Sequence, residues 1–355
     1  MKENLQEIWG KRPLIISGPC SAETEEQVIA TAVRLSATGK VDLLRAGIWK
    51  PRTKPGMFEG VGNIGLSWLI NARKITGLPI TVEVATAKHV EEALKHDVDV
   101  LWIGARTTVN PFSVQEVADA LRGVDIPVLV KNPINPDLEL WSGAIERMQK
   151  VGLQNVGMIH RGFSTYGNTE YRNAPMWHLP IEMKRRYAGM LLLCDPSHIS
   201  GNRTLLQQVS QKSIDLDFSG IMIESHIDPD NAWSDARQQV TPERLNEILN
   251  ALIWRTGISN EQEFISALTQ IREEINQVDD ELLALLGQRM KLADKIGLYK
   301  RENNITILQT RRWNDILERA FSKGEQLGLS PEFINRYFDA VHLESISHQN
   351  KIMNE

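Results

Sequence analysis

Short apolar runs alternate with longer amphipathic stretches over roughly the first 255 residues. The runs are rich in β-branched residues, which is typical of strands buried on both faces, and they lie at 14–18, 41–46, 79–84, 98–103, 126–130, 155–159, 190–194 and 220–223. The intervening stretches have helical apolar spacing and lie at 24–36, 65–75, 88–94, 113–121, 136–151, 175–188, 203–212 and 241–255. Eight strand–helix repeats predict an α/β fold, a (β/α)8 TIM barrel, with an open doubly wound sheet as the alternative.

The pattern changes near residues 256–264, because no strand-like run follows. Helical spacing instead covers 262–301, 307–325 and 331–352. The Ser330-Pro331 pair is typical of a helix start, with serine as the cap and proline in the first turn. We therefore predict a barrel domain over 1–256 and a separate all-α three-helix domain over 257–355.

Composition narrows the class of protein. The 355 residues carry a formal net charge of −5, which disfavours a nucleic-acid partner. Only two cysteines occur, so we expect a reducing compartment rather than a disulfide scaffold. The N-terminal segment is polar, unlike a signal peptide, and no apolar run approaches the ~20 residues needed to cross a membrane. A cytoplasmic enzyme without a membrane partner is the expectation.

Four potential metal ligands follow predicted strands. Cys20, His198 and Glu224 stand at the ends of strands one, seven and eight, and Asp235 lies in the loop after strand eight. These strands are neighbours in a closed barrel, and sites in such barrels lie at the carboxyl ends of the strands. The mixed set predicts one divalent ion, Mn²⁺ or similar, with Fe²⁺, Co²⁺ and Zn²⁺ also compatible.

The remaining strand ends are cationic. The side chains concerned are Arg45, Lys50, Arg52, Arg106, Lys131 and the His160-Arg161 pair. Like charges gathered on one rim repel unless an anion meets them, and arginine and lysine suit phosphate and carboxylate groups. The pattern predicts a metal-assisted reaction on phosphorylated, carboxylate-bearing small molecules. No glycine-rich dinucleotide or Walker loop occurs, so a nucleotide is not favoured.

A family resemblance rests on these segments together with GPCSAE, LLRAGIWKPRT, IGART, KNP, HRG, DPSHISGNR, IESH and WSDARQ. Over about residues 10–255 the chain resembles the 3-deoxy-D-arabino-heptulosonate 7-phosphate synthases of the short type I beta subclass. The resemblance implies condensation of phosphoenolpyruvate with erythrose 4-phosphate, the first step of the shikimate pathway. It also implies that Cys20, His198, Glu224 and Asp235 hold the metal.

The same resemblance assigns the cations. Phosphoenolpyruvate would be bound by Arg106, Lys131 and Arg161 with help from Arg45 and Lys50, and erythrose 4-phosphate by the loop Lys50, Pro51, Arg52 and Thr53. Lys131 is also the candidate for proton transfer, so the implied catalytic groups are Lys131, Cys20 and His198. The related 3-deoxy-octulosonate 8-phosphate synthases differ at this Lys-Pro-Arg-Thr loop, which favours the four-carbon sugar.

The predicted long helix carries an apolar seam whose spacing alternates between three and four residues. Its members are Ile271, Ile275, Val278, Leu282, Leu285, Leu292, Ile296 and Tyr299. Arg289 interrupts the seam, and an arginine there is costly unless an anion meets it. Arg272 lies about 26 Å from it along a helix, at about 1.5 Å per residue. Two antiparallel copies could bring these arginines together, so we predict a homodimer with a site between helices.

The segment IREEINQVDDELLALLGQRMKLADKIGLYK and its downstream polar residues resemble the all-helical chorismate mutases over about residues 264–352. The resemblance implies rearrangement of chorismate to prephenate. Arg272 of the partner chain and Arg289 would bind the carboxylates, Lys300 and Gln349 would face the ether oxygen, and Arg312 and Ser345 would complete the pocket.

Two positions depart from the mutase pattern, because Gln309 and Trp313 stand where that family has acidic residues. Weaker turnover is one consequence, and a ligand-binding regulatory tail without catalysis is the alternative. We further expect prephenate, bound near Arg289 and Lys300, to inhibit the barrel by favouring a closed arrangement of barrel and tail.

Overall fold

The structure is a computed structural model that describes residues 7–51, 56–167, 169–255 and 261–354. It divides into two compact units, Met1–Gly257 and Ile258–Glu355. In the first unit, eight parallel strands form a closed barrel in sequence order. They are β1 Leu14–Gly18, β2 Leu43–Arg45, β3 Ile80–Val84, β4 Val100–Ile103, β5 Val128–Lys131, β6 Val156–His160, β7 Leu192–Cys194 and β8 Gly220–Glu224. The predicted barrel is confirmed, and the open sheet is wrong because β1 pairs with β8 from Leu14↔Gly220 to Gly18↔Glu224.

Helices cover the outside of the barrel. They are α1 Glu25–Ala37, α2 Ile64–Thr76, α3 Ala87–Lys95, α4 Ala105–Thr108, α5 Pro111–Ala120, α6 Leu138–Lys150, α7 His178–Arg186, α8 Pro196–Ser200, α9 Leu206–Asp215 and α10 Pro242–Ala251. Each of the eight predicted helical stretches has its helix. The short helices α4 and α8 were not predicted, because a single turn has no periodicity to detect. Both follow directly on strand ends and therefore shape the rim.

The barrel interior is filled by apolar side chains and capped by polar ones. The apolar layers consist of Leu14, Ile16, Leu43, Val100, Trp102, Leu129, Ile159, Leu191, Leu193 and Met222. Side chains alternate across each strand, so the next inward positions lie at the carboxyl ends of the strands. There the inward residues become ionisable: Arg45, Glu83, Lys131 and Glu224 are the last inward side chains of their strands. The fold thus places charged groups on top of a dry, close-packed floor.

The described part of the second unit, residues 261–354, has three helices, as predicted. They are α11 Gln262–Glu302, α12 Thr310–Gln326 and α13 Pro331–Asn354. The backbone N–H of Phe333 donates to Oγ of Ser330 at 3.2 Å, as expected of the serine cap. All eight residues of the predicted seam are 47–68% exposed within the single chain. None of the described helices carries an apolar stretch long enough to cross a membrane.

Candidate active sites

Three of the predicted metal ligands converge at the carboxyl end of the barrel. The Cys20 sulfur and carboxylate oxygens of Glu224 and Asp235 lie within 4.8 Å of one another. Nε2 of His198 is 3.8 Å from Oε1 of Glu224, so the imidazole borders the same point. Cys20 and Glu224 are fully buried. Cys20, Glu224 and Asp235 therefore surround one small volume, and His198 borders it beside Glu224, although the four side chains come from four separate segments.

Backbone and side-chain contacts fix this arrangement. Glu224 ends β8, and the N–H of Cys20 donates to Oε1 of Gln239 at 2.8 Å. Asp235 has a left-handed backbone with φ of 47°, which turns its loop back towards the barrel. Arg172 donates to Oδ1 of Asp235 at 3.1 Å. The loop after β8 is thus tied to Cys20 through Gln239 and to Arg172 through Asp235.

Asp195 orients His198. As the cap of α8, its Oδ1 accepts the N–H of His198 at 3.0 Å, while its Oδ2 lies 2.8 Å from Nδ1 of the same residue. This second contact leaves Nε2 facing Glu224. A carboxylate behind a histidine in this way fixes the tautomer of the ring and makes it a better metal ligand.

The electrostatics of these four groups suit a cation. Burial raises the pKa of the Cys20 thiol to about 11, and the charge of Glu224 adds to the effect. Burial lowers the pKa of His198 despite the opposing charge of Asp195, so the imidazole is neutral. Burial would raise the pKa of Glu224, but the positive charge of Arg45 helps to hold it below its usual value. With its raised pKa, the Cys20 thiol becomes a thiolate only beside a positive charge such as a metal ion. Together with a neutral imidazole and two carboxylates it forms a donor set that fits one divalent ion.

Two predicted cations lie against this cluster. Nη2 of Arg45 is 3.3 Å from Oε1 of Glu224, and its guanidinium lies over the Trp102 ring at 5.0 Å. Nζ of Lys50 lies 2.7 Å from the carbonyl oxygen of Cys20 and 3.0 Å from its sulfur. The Nε and Nη1 atoms of Arg45 are buried and have no hydrogen-bond partner among the described residues. Such unused buried donors are costly, and an anionic ligand would satisfy them.

The other predicted cations stand further round the rim. Nζ of Lys131 lies 2.6 Å from Oδ2 of Asp195. Arg161 is buried and donates to Oδ1 of Asn173 at 2.7 Å. Burial lowers its pKa to about 10, partly opposed by Asp195, so the guanidinium is charged at neutral pH. Arg106 is exposed on α4.

His160 does not belong to the rim, contrary to the sequence-based prediction. Strand alternation turns it away from the barrel interior, because it pairs with Cys194, whose side chain lies in the outer core. The ring packs among Trp141, Phe163, Trp177 and Phe218. Burial lowers its pKa to about 3, so it carries no charge at neutral pH.

A second cavity, of about 220 Å³, lies within the helical unit. It is lined by Arg289, Leu292, Ala293, Ile296, Lys300, Ile307, Gln309, Arg312, Trp313, Ile316, His342, Ser345 and Gln349. Nη1 of Arg289 donates to Oγ of Ser345, and Nζ of Lys300 donates to the carbonyl oxygen of Ile307 at 2.5 Å. Oε1 of Gln349 is buried without a hydrogen-bond partner among the described residues. The cavity therefore offers cations and an unused amide oxygen to a polar ligand.

Comparisons with known proteins agree with this picture of the barrel. The model of the DAHP synthetase I family matches residues 4–259. A phospho-2-dehydro-3-deoxyheptonate aldolase from Thermotoga maritima is 31% identical over 238 residues, covering 67% of this chain and 68% of that protein. A crystal structure of a Thermotoga maritima aldolase of the same name, also called DAHP synthase, has a TM-score of 0.60 at 30% identity and covers 67% of each chain.

The chain belongs to the DAHP synthetase I family. Its C-terminal part is similar to a second family, because the model of type II chorismate mutase matches residues 271–350. A bifunctional chorismate mutase/prephenate dehydratase from Buchnera aphidicola is 32% identical over 88 residues. That match covers 25% of this chain and 23% of the relative, so it concerns the helical tail alone.

Within this member of the DAHP synthetase I family, some predicted residues remain apart from the two clusters. Arg272 is exposed on α11 and does not line the cavity that holds Arg289. Pro51 is half-buried beyond Lys50. Arg52 and Thr53 lie outside the described residues.

Sequence reasoning did not find five residues that support the barrel cluster: Arg172, Asn173, Asp195, Gln238 and Gln239. Nε2 of Gln238 donates to Oε2 of Glu224 at 2.7 Å, and Nδ2 of Asn173 donates to the carbonyl oxygen of His198 at 2.6 Å. Only Asp195 had a local signal, since an aspartate before a proline in the first turn is typical of a helix cap. The others act across long sequence separations.

Proposed function

We propose that this chain catalyses two reactions of aromatic biosynthesis at two separate sites. The barrel condenses phosphoenolpyruvate with erythrose 4-phosphate to 3-deoxy-D-arabino-heptulosonate 7-phosphate, and the helical unit rearranges chorismate to prephenate. The observation that carries the first assignment is the buried ligand cluster beside Arg45, whose unused donors require an anion. The second rests on the cationic cavity between Arg289 and Arg312.

Cys20, His198, Glu224 and Asp235 would hold one divalent ion, Mn²⁺ or a similar metal. Such an ion supplies Lewis-acid polarisation of the sugar aldehyde when it is bound. Asp195 keeps the imidazole of His198 turned towards the other ligands. Gln238 and Arg172 hold the two carboxylates in place, so little rearrangement is needed when a cation binds.

The rim cations would bind and orient phosphoenolpyruvate. Arg45 offers its free Nε and Nη1 donors, and Arg161 is a charged guanidinium fixed by Asn173. Arg106 and Lys50 would add positive charge to this anion-binding surface. Charge-assisted contacts of this kind orient the phosphate and carboxylate and stabilise negative charge that develops during the reaction.

Nζ of Lys131 is the group best placed to transfer a proton. It is buried, 2.6 Å from Oδ2 of Asp195, which can stabilise its ammonium form. A substrate anion bound beside it would compete for the same ammonium hydrogens. Lys131 would therefore both contact phosphoenolpyruvate and donate a proton from Nζ.

Replacing Arg161 with alanine should weaken phosphoenolpyruvate binding about tenfold to a hundredfold, because buried charge-assisted contacts are lost. Steady-state kinetics with varied phosphoenolpyruvate measures this change. Arg185→Ala is a matched control, since Arg185 pairs with Glu182 on an exposed helix surface. An unchanged Michaelis constant and rate for Arg161→Ala would show that the buried cation does not contact this substrate.

The proposed rearrangement of chorismate requires no nucleophile from the protein. A pericyclic rearrangement needs a pocket that holds the compact conformer and stabilises charge on the ether oxygen. Arg289 and Arg312 would bind carboxylates, with Ser345 fixing the Arg289 guanidinium. Lys300 and Gln349 would lie beside the ether oxygen, where the Lys300 ammonium and the Gln349 amide N–H would donate hydrogen bonds.

A homodimer would complete this pocket with Arg272 of the partner chain. Two features support that proposal. The apolar seam of α11 is largely exposed in the single chain, which is unusual for so long a stripe of large apolar residues. Arg289 and Arg272 also lie too far apart on α11 for one small ligand to touch both within one chain.

A regulatory role for the tail is the second candidate, and the neutral Gln309 and Trp313 in the cavity wall favour it. Prephenate bound at Arg289 should then inhibit the condensation. Titrating prephenate into the condensation assay tests this, with Arg289→Ala as the variant that should resist inhibition. Inhibition that is equal in the wild type and Arg289→Ala would place the effect outside the helical cavity, and no inhibition at saturating prephenate would remove the regulatory role.

A further inference from the structure

Two aromatic rings form one wall of the helical cavity. The indole of Trp313, from α12, stacks on the imidazole of His342, from α13, with ring centroids 4.0 Å apart and planes inclined by 19°. Both residues line the cavity. Trp313 follows Arg312 directly, and His342 lies one turn before Ser345, so the stack stands between two of the proposed ligand contacts.

The charges around this wall are of one sign. Arg289, Lys300 and Arg312 line the cavity, and the described lining residues include no aspartate or glutamate. Three cations in one small cavity repel one another and favour a ligand with at least two negative charges. The wall itself contributes no negative charge, since one ring is apolar and the other is an imidazole.

The same positive charges affect the pKa of His342. Burial lowers its pKa, the charges of Arg289 and Lys300 on α11 lower it further, and Asp339 on its own helix opposes them. Arg312, on α12 beside Trp313, is the remaining cation of the cavity. The free imidazole is therefore neutral near pH 7. A bound dianion would offset the cations and make protonation of His342 easier.

We propose that Trp313 and His342 are specificity-determining residues that select a dianionic, unsaturated ring compound. The indole–imidazole wall packs against the ring of the ligand, and the imidazole takes up a proton as the dianion binds. This deepens the proposed mutase site and rests on it. Because binding is coupled to proton uptake, affinity should rise as pH falls from about 8 towards the pKa of the free imidazole.

Calorimetric titration of the full chain with prephenate tests this inference. Titrations at several pH values, in buffers with different ionisation enthalpies, give both affinity and the number of protons taken up. We expect net proton uptake by the wild type and its loss in His342→Gln, which keeps a polar side chain that cannot be charged at these pH values. His348→Gln is the matched control, because His348 lies on the same helix, pairs with Asp294 at 2.8 Å and does not line the cavity.

Trp313→Ala removes the aromatic face of the wall, and Trp313→Phe keeps one. Alanine should weaken prephenate binding about tenfold or more, because the ring of the ligand loses its aromatic contact. Phenylalanine should retain binding within about threefold, since it keeps an aromatic face. Circular dichroism checks the fold of each variant, and Trp313→Phe keeps the test informative if the alanine variant does not fold.

Proton uptake that persists in His342→Gln, or equal affinities of Trp313→Phe and Trp313→Ala, would overturn the inference. These results would leave the mutase proposal intact if chorismate is still turned over. A wild-type chain that neither binds prephenate nor converts chorismate would overturn the mutase proposal and this inference together.

Discussion

Replacing Cys20 with alanine should reduce the condensation rate about a hundredfold or more, while the chorismate mutase rate stays at the wild-type value. Cys20 is fully buried and its sulfur lies among the oxygens of Glu224 and Asp235, so the change removes one of four ligands from a fixed site. Assays of both reactions on the same purified sample measure the effect. The mutase rate also reports whether the variant remains folded.

Cys194→Ala is the matched control, because it removes the other cysteine. Cys194 is equally buried, but its side chain belongs to the outer core between strands and helices. It should keep the condensation activity and lose only some stability. Equal losses in both variants would indicate a general packing effect, and full activity in Cys20→Ala would remove this residue from the metal site.

Neither Arg272→Ala nor Arg289→Ala should retain mutase activity above about one hundredth of the wild-type value, since each removes a cation that contacts a carboxylate. Mixing the two variants should restore activity. In a mixed dimer one of the two sites keeps both arginines, so an equal mixture with free exchange should recover about a quarter of the wild-type rate.

Lys291→Ala controls for changes on the exposed surface of α11, because Lys291 lies two residues from Arg289 and does not line the cavity. It should behave as the wild type. Failure of complementation in dimers shown to be mixed would mean that each mutase site is built within one chain. The condensation rate of both arginine variants should be unchanged in the absence of prephenate.

The barrel could be predicted from sequence because the patterns that indicate its strands and helices each lie within a short segment. Each strand is a β-rich apolar run, each long helix has its own spacing, and residues at strand ends must meet once eight strands close. The grouping of Cys20, Glu224 and Asp235, with His198 beside them, could therefore be predicted without knowledge of any contact. The same strand alternation that places Lys131 inside the barrel places His160 outside it, and the motif alone did not reveal that difference.

The contacts that could not be predicted join residues that lie far apart along the chain. Gln238 reaches Glu224 and Arg172 reaches Asp235 only after the loops have folded over the barrel. The stack of Trp313 on His342 joins two helices, and nothing in either helix predicts it. Polar residues in loops have no periodicity, so their partners emerge only in three dimensions.

The most direct test of the account is to measure both reactions on one preparation before and after metal removal. We predict that a chelator abolishes the condensation, that Mn²⁺ or a similar divalent ion restores it, and that the mutase rate is the same throughout. Full condensation activity in metal-free protein would contradict the proposed barrel site, and a chain that never converts chorismate would contradict the second activity.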